Sequence, residues 1–203
     1  VLSKKLNHNT ELEIKTEQDI LSGNVPLLPI QEWFFEKEFS EAHYWNQSFL
    51  LRTPELDLDR LQASLEKLAQ HHDGLKLRYE RAKHSDVTTH SSKTYYTQFY
   101  SSNAQVPRLQ TLDIKSLKSK EKTQEFKVEL QKILTHWQSR FNLEEGPLYS
   151  VGYIHGYADS SSRIYFALHH LIVDSVSWRI LAEDLRDLYN GKDLSLKGSS
   201  YRQ

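Results

Sequence analysis

SRIYFALHHLIVDSVSWRILAEDLRDLYNG, residues 162 to 191, changes its repeat halfway along. From Ser162 to Val173 it is almost continuously apolar, the pattern of a strand covered on both faces. From Ser177 it turns amphipathic with helical spacing, and Gly191 can close that helix. A buried strand that feeds a helix through a short polar link argues for layered packing, so the neighbouring segments decide the class. Upstream, LYSVGYIH (148–155) reads as a second strand, joined to the first by a glycine, aspartate and serine cluster suited to a turn.

Further out the alternation continues. Ser116 to Phe141 keeps Phe126, Val128, Leu130, Ile133, Leu134 and Trp137 near helical spacing and reads as the longest helix. Asp57 can cap a helix with Leu58, Leu61, Leu65 and Leu68 on one stripe, ending near His72. Tyr44 to Arg52 suits a strand. Leu75, Leu77 and Tyr79 alternate with Lys76, Arg78 and Glu80, as in a half-buried strand, and YYTQFY (95–100) is placed to pair with it antiparallel. RAKHSDVTTHSSK breaks the pattern between them. Pro29 opens a short aromatic helix in which Trp33 and Phe34 pack. Residues 1–24 read as a linker or leading segment containing at most one short helix, and 25–203 as the folded unit. The class is α/β, a sheet covered by helices.

The 203 residues suffice for a real core. Without cysteine, disulfides, thiolate metal sites and a cysteine nucleophile are excluded, and a reducing, cytoplasmic setting is expected. Lys and Arg total 26 against 27 for Asp and Glu, so net charge gives no pull toward nucleic acid or an anionic membrane. No apolar run approaches the ~20 residues of a membrane helix, and the N-terminus lacks a signal-peptide core. The chain contains no methionine, which suggests a piece of a longer polypeptide.

The link HHLIVDSVSW (169–178) holds the candidate chemistry. Strand neighbours point to opposite faces, so His169 and His170 cannot both enter one cavity, which disfavours a metal site built on the pair; no H-E-x-x-H spacing is present either. Two readings stand on spacing alone. In one, both histidines are satisfied core residues and Asp174 with Ser177 caps the following helix. In the other, His170, at the strand exit, is a proton-transfer group suited to neutral pH, and His169 supports it from inside the fold. His71-His72-Asp73 looks like a ligand cluster but lies at a helix end, where imidazoles can meet terminal carbonyls. Trp45, Asn46 and Gln47 are candidates to approach the same region, with core packing the alternative for Trp45.

With these residues in view, HHLIVDSVSWRIL resembles the HHxxxDG signature of condensation-type domains of nonribosomal peptide synthetases, in the form that continues as in epimerization domains. NVPLLPIQEWFF (24–35), HYWNQSFLL (43–51), LAQHHDGLKLRY (68–79) and FNLEEGPLY (141–149) resemble other segments of that family in the right order. The resemblance implies a chloramphenicol acetyltransferase-like lobe, a mixed sheet covered by helices, forming the N-terminal half of a two-lobed domain whose active site lies between the lobes. It implies that His170 is catalytic, that His169 supports it, and that Asp174 is structural, paired with the cation of the second core motif. That cation is an arginine in the family and Lys76 here; the motif glycine is Ser175.

The same resemblance implies epimerization at the Cα of an aminoacyl or peptidyl thioester, delivered on the 4'-phosphopantetheine of a peptidyl carrier protein. No directly bound cofactor, metal, nucleic acid or membrane is expected. The second acid-base group, a glutamate, comes from the C-terminal lobe in the family, so this lobe alone is expected to be inactive. Ser175, Ser177 and Trp178 are candidates to line the substrate site, with helix capping the alternative for Ser177 and packing beneath the helix the alternative for Trp178. Condensation, or noncatalytic docking of carrier proteins, are the rival readings.

Overall fold

A computed structural model describes residues 16–86 and 91–203. Two sheets carry the fold. The larger has the order β2 (Asn46–Thr53), β7 (Ser162–His169), β6 (Tyr149–His155), β5 (Gln110–Asp113). Its β2–β7 and β7–β6 pairs are antiparallel and its β5–β6 pair is parallel, so the sheet is mixed as expected. The smaller sheet has the order β1 (Gly23–Val25), β4 (Ser91–Tyr100), β3 (Leu77–Asp86), antiparallel throughout.

The central strands are apolar because both faces are covered. On one face, Tyr149, Val151, Phe166 and Leu168 meet Leu65 and Leu68 of α2 (Leu58–His71) and Leu181 of α4 (Ser177–Tyr189). On the other, Trp137 of α3 (Gln124–Gln138) lies over Gly152 and beside Tyr165, whose hydroxyl donates to Gln138 Oε1 at 2.5 Å. An ideal Cβ on Gly152 would come within 2.1 Å of the indole, so the absence of a side chain there lets α3 sit on the sheet. Leu61, Leu65 and Leu68 are almost fully buried, and each contributes about 1.5–3 kcal/mol.

Local chemistry sets the helix ends. Asp57 caps α2 by accepting from the Arg60 amide at 2.8 Å. The short helix α1 (Pro29–Glu36) begins with Pro29, and Gln31 Oε1 accepts from the Leu28 amide at 2.8 Å. Gly191, at φ +79, ends α4 in the left-handed region that a side chain disfavours.

Four expectations change. The helix expected from Ser116 starts only at Gln124, capped by Thr123, because Lys122 takes a left-handed conformation and the Glu129 carboxylate folds back onto the Lys118 and Ser119 amides. The half-buried strand expected through Lys76 and Arg78 begins only at Leu77, with Lys76 in the turn before it, and both side chains are buried: 6 % and 2 % of their surfaces remain exposed. Arg78 is tolerated inside because Nε donates to the Glu145 carbonyl and a terminal nitrogen to the Leu77 carbonyl. The polar stretch after Tyr79 does not break the pattern where it is described, since β3 runs to Asp86 and β4 resumes at Ser91, with residues 87–90 outside the described residues.

The leading segment is packed at its end rather than free. Leu21 is buried in the core and Gly23–Val25 is a strand, while residues 1–15 lie outside the described residues. Polar contacts tie this segment to the last residues of the chain: Ser200 Oγ donates to Glu17 Oε2 at 2.6 Å, Arg202 pairs with Glu17, and Lys197 bridges Asp73 and the Asp19 carbonyl.

Candidate functional site

β7 ends at His169, and the alternation of its side chains decides which histidine is inside. His169 is fully buried, with Phe34 edge-on at 5.6 Å and Phe141 at 6.4 Å. Its Nε2 is 2.9 Å from the Ala42 carbonyl, an acceptor only, so Nε2 carries the hydrogen; Nδ1 accepts from the Leu171 amide at 3.2 Å. Both nitrogens are satisfied by the neutral ring, and burial pushes its pKa down to about 4.

His170 points the other way and is exposed. Its amide donates to the Trp45 carbonyl at 2.8 Å, fastening the end of β7 to the residue that precedes β2. Its ring shows the opposite tautomer. Nδ1 lies 3.0 Å from the Val173 carbonyl and must donate to it, which leaves the Nε2 lone pair as the basic site. An exposed imidazole with a fixed basic nitrogen offers one defined lone pair to a proton.

Gln47 Nε2 sits 3.1 Å from His170 Nε2, and Trp178 Nε1 donates to Gln47 Oε1 at 2.6 Å. Gln47 and Phe49 lie on the same face of β2, and Phe49 packs edge-to-face with Trp178 at 4.5 Å. Trp178 therefore neither simply lines a cleft nor simply packs: its ring packs on Phe49 and its N–H reaches the group beside His170. Sequence reasoning brought Gln47 near the site without giving it a task. The available signal was its period-two spacing from Phe49 in a strand adjoining β7.

Asp174 is held within its own loop. Oδ1 accepts from the Val176 amide at 3.1 Å, the Ser177 amide at 2.8 Å and the Ser177 hydroxyl at 2.7 Å, which closes the entry to α4. These hydrogen bonds, the Ser177 hydroxyl first, hold its pKa below the usual carboxylate range. Ser177 is thus committed to the helix start. It also lines a cavity with His72, Tyr100, Lys197 and Tyr201, a cavity that His170 does not line.

The ion pair between Asp174 and Lys76 is not present. Lys76 Nζ instead pairs with Asp73 Oδ1 at 2.6 Å and donates to the Gln70 carbonyl at 3.1 Å, because it lies in the turn that closes α2 and folds back onto that helix end. Among the described residues no cation lies within ion-pair distance of Asp174. Ser175 is exposed in the loop and does not have positive φ, so its Cβ brings no backbone strain where the family motif has glycine.

Among the described residues, His71, His72 and Asp184 form the group whose ligand atoms lie within 4.8 Å of one another. His72 Nε2 and Asp184 Oδ2 are 2.7 Å apart, a hydrogen-bond length. Two ligands on a tetrahedral zinc would stand about 3.3 Å apart. The pair joins α2 to α4. His72 therefore reaches a neighbouring helix rather than the terminal carbonyls of its own, and burial, outweighing Asp184, lowers its pKa.

The comparisons with known proteins agree with this architecture. The family model described as "Condensation domain" matches residues 21–203. N-(5-amino-5-carboxypentanoyl)-L-cysteinyl-D-valine synthase of Penicillium rubens is 39 % identical over 203 residues, which is 100 % of this chain and 5 % of that protein. Among solved structures, the epimerization domain from the third module of tyrocidine synthetase B aligns with a TM-score of 0.76 at 27 % identity, covering 92 % of this chain and 40 % of that one. The starter condensation domain of rhizomide synthetase aligns with a TM-score of 0.64 at 15 % identity, covering 88 % and 41 %, and shows the shared fold. This chain spans a small fraction of the curated relative and less than half of either solved chain. No helix among the described residues is long and apolar enough to cross a membrane. The chain belongs to the condensation-domain family of nonribosomal peptide synthetases.

Proposed function

We propose that this chain contributes one acid-base group to the epimerization, L to D at Cα, of an aminoacyl or peptidyl thioester carried on the phosphopantetheine arm of a peptidyl carrier protein. The observation that carries the reading is His170: an exposed imidazole whose Nδ1–H is tied to the Val173 carbonyl, leaving Nε2 as the basic nitrogen. A thioester acidifies the adjacent Cα–H, so a base near neutral pH can remove that proton and leave the electron pair delocalised onto the thioester oxygen. An acid on the opposite face then returns a proton to Cα. In this reading the second group comes from a C-terminal lobe, and His169, neutral and buried, keeps the end of β7 rigid.

Epimerization is favoured over condensation by the 27 % identity to an epimerization domain and by a relative whose name includes a D-valine product. Ser175 does not argue for a degenerate, purely docking lobe, since its backbone tolerates a side chain. The second reading, condensation, rests on the family match itself, with His170 then assisting the attack of an acceptor amine on a donor thioester.

One assay separates the two. A carrier protein loaded with an L-aminoacyl thioester is incubated with the intact protein that bears this chain, without any acceptor, and the released amino acid is resolved by chiral chromatography. A mixture of D and L forms is expected. Only L amino acid, together with peptide once an acceptor is added, would replace epimerization with condensation.

A further inference from the structure

The basic nitrogen of His170 is not free in this structure, and the groups around it have their polarity fixed one after another. An indole N–H can only donate, so the Gln47 amide atom 2.6 Å from Trp178 Nε1 is the oxygen. The other end of that amide is then the NH2, and at 3.1 Å it donates to His170 Nε2. A backbone carbonyl can only accept, so His170 Nδ1 carries the hydrogen it gives to Val173. The chain of donors runs Trp178, Gln47, His170, Val173 with no ambiguity of amide flip or tautomer. Trp178 is itself held against Phe49, the next residue along the same face of β2 as Gln47.

We infer that Gln47 is the positioning residue of the proton-transfer site: together with the Val173 carbonyl it holds the His170 ring in the Nδ1–H form, fixes the direction of Nε2, and occupies the single Nε2 lone pair until a thioester substrate displaces it. This rests on the reading of His170 as the proton-transfer group. It assigns Trp178 a role as well, that of holding the Gln47 amide the right way round. An imidazolium carrying hydrogen on Nε2 would face the Gln47 NH2 donor to donor, so the amide has to turn aside as the proton arrives. The Gln47 hydrogen bond therefore forms only while Nε2 carries no proton.

Gln47→Glu keeps the shape and reverses the polarity. A carboxylate accepts from both the Trp178 indole and a protonated His170 Nε2, and so stabilises the imidazolium. Gln47→Leu removes the hydrogen bond to Nε2 and leaves the base unaimed.

The test has two readouts. In the first, 15N spectra of selectively labelled histidine in this chain report the tautomer and the titration of His170, assigned with His170→Asn. The Nδ1–H tautomer is expected in the unaltered protein and, held by the Val173 carbonyl, in Gln47→Leu as well, with an upward move of the titration midpoint by about one pH unit in Gln47→Glu. In the second, epimerization by the intact protein is expected to fall about 100-fold in kcat for Gln47→Leu, with KM for the loaded carrier unchanged. In Gln47→Glu the acid limb of its pH profile is expected to move to higher pH.

An Nε2–H tautomer in the unaltered protein, or an unmoved midpoint in Gln47→Glu, overturns the inference. Because the spectra do not depend on turnover, expected spectra without epimerization would count against the proposed reaction and leave the positioning by Gln47 standing.

Discussion

His169 gives the prediction with the most direct physical magnitude. The ring is fully buried, its Nε2–H is tied to the Ala42 carbonyl, and Phe34 and Phe141 exclude water from its flanks. Burial, with smaller contributions from the nearby His170 and His43, sets its folded pKa at about 4, against an ordinary value of 6.5. Between those pH values the unfolded chain takes up a proton that the folded chain refuses, so stability falls as pH falls through that window. At pH 5 the difference amounts to about 2 kcal/mol, and below pH 4 it approaches about 3 kcal/mol. Urea unfolding of the chain at pH 7.5 and pH 5, compared with His169→Gln, isolates the effect. Glutamine can keep a donor near Ala42 but cannot titrate, and His72, which also disfavours protonation when folded, contributes equally to both proteins. With a slope of about 2 kcal/mol per molar urea, the unaltered protein should lose about 1 M more in midpoint than the variant on acidification. Equal losses in the two proteins would show that the site accepts an imidazolium and that His169 is not sealed.

Other substitutions probe the frame of the site. Gly152→Ala places a Cβ against the Trp137 ring and should destabilise the fold by about 2 kcal/mol, measured by urea unfolding with Trp fluorescence; an unchanged midpoint would contradict the close seating of α3. Asp174→Ala removes the acceptor for two backbone amides at the start of α4 and should cost about 1 kcal/mol, read as a lower melting temperature, whereas a variant as stable as the parent would refute the capping role. Ser175→Gly relieves no strain, so it should leave the rate of the proposed epimerization unchanged and lower stability by about 0.5 kcal/mol; a large gain in rate would mean that the serine damages the site.

Much of the scaffold was legible in sequence because hydrophobic period maps directly onto a covered sheet and its helices. The apolar run of β7, the Leu stripe of α2 behind its Asp57 cap, and the amphipathic α4 all stand where periodicity put them. The opposite orientations of His169 and His170 followed from strand alternation alone. What escaped were features set by polar groups meeting across distant segments. Alternation places Arg78 outside, because it cannot foresee carbonyls of Glu145 and Leu77 that make a buried guanidinium acceptable. The late start of α3 depends on a glutamate eleven residues ahead folding back onto Lys118. The role of Lys76, carried over from the family motif, failed because its nearest carboxylate is Asp73 of the same turn. Gln47 and Trp178 are 131 residues apart, and no local pattern announces their hydrogen bond.

Exchange at Cα in deuterated water tests the proposed role of His170. A loaded L-aminoacyl carrier is incubated with the intact protein bearing either the native His170 or His170→Ala, and mass spectrometry follows deuterium at Cα of the released amino acid. Rapid incorporation with the native protein, and a loss of at least about 100-fold with His170→Ala while carrier binding persists, is the predicted result. Undiminished incorporation after the imidazole is removed would contradict it.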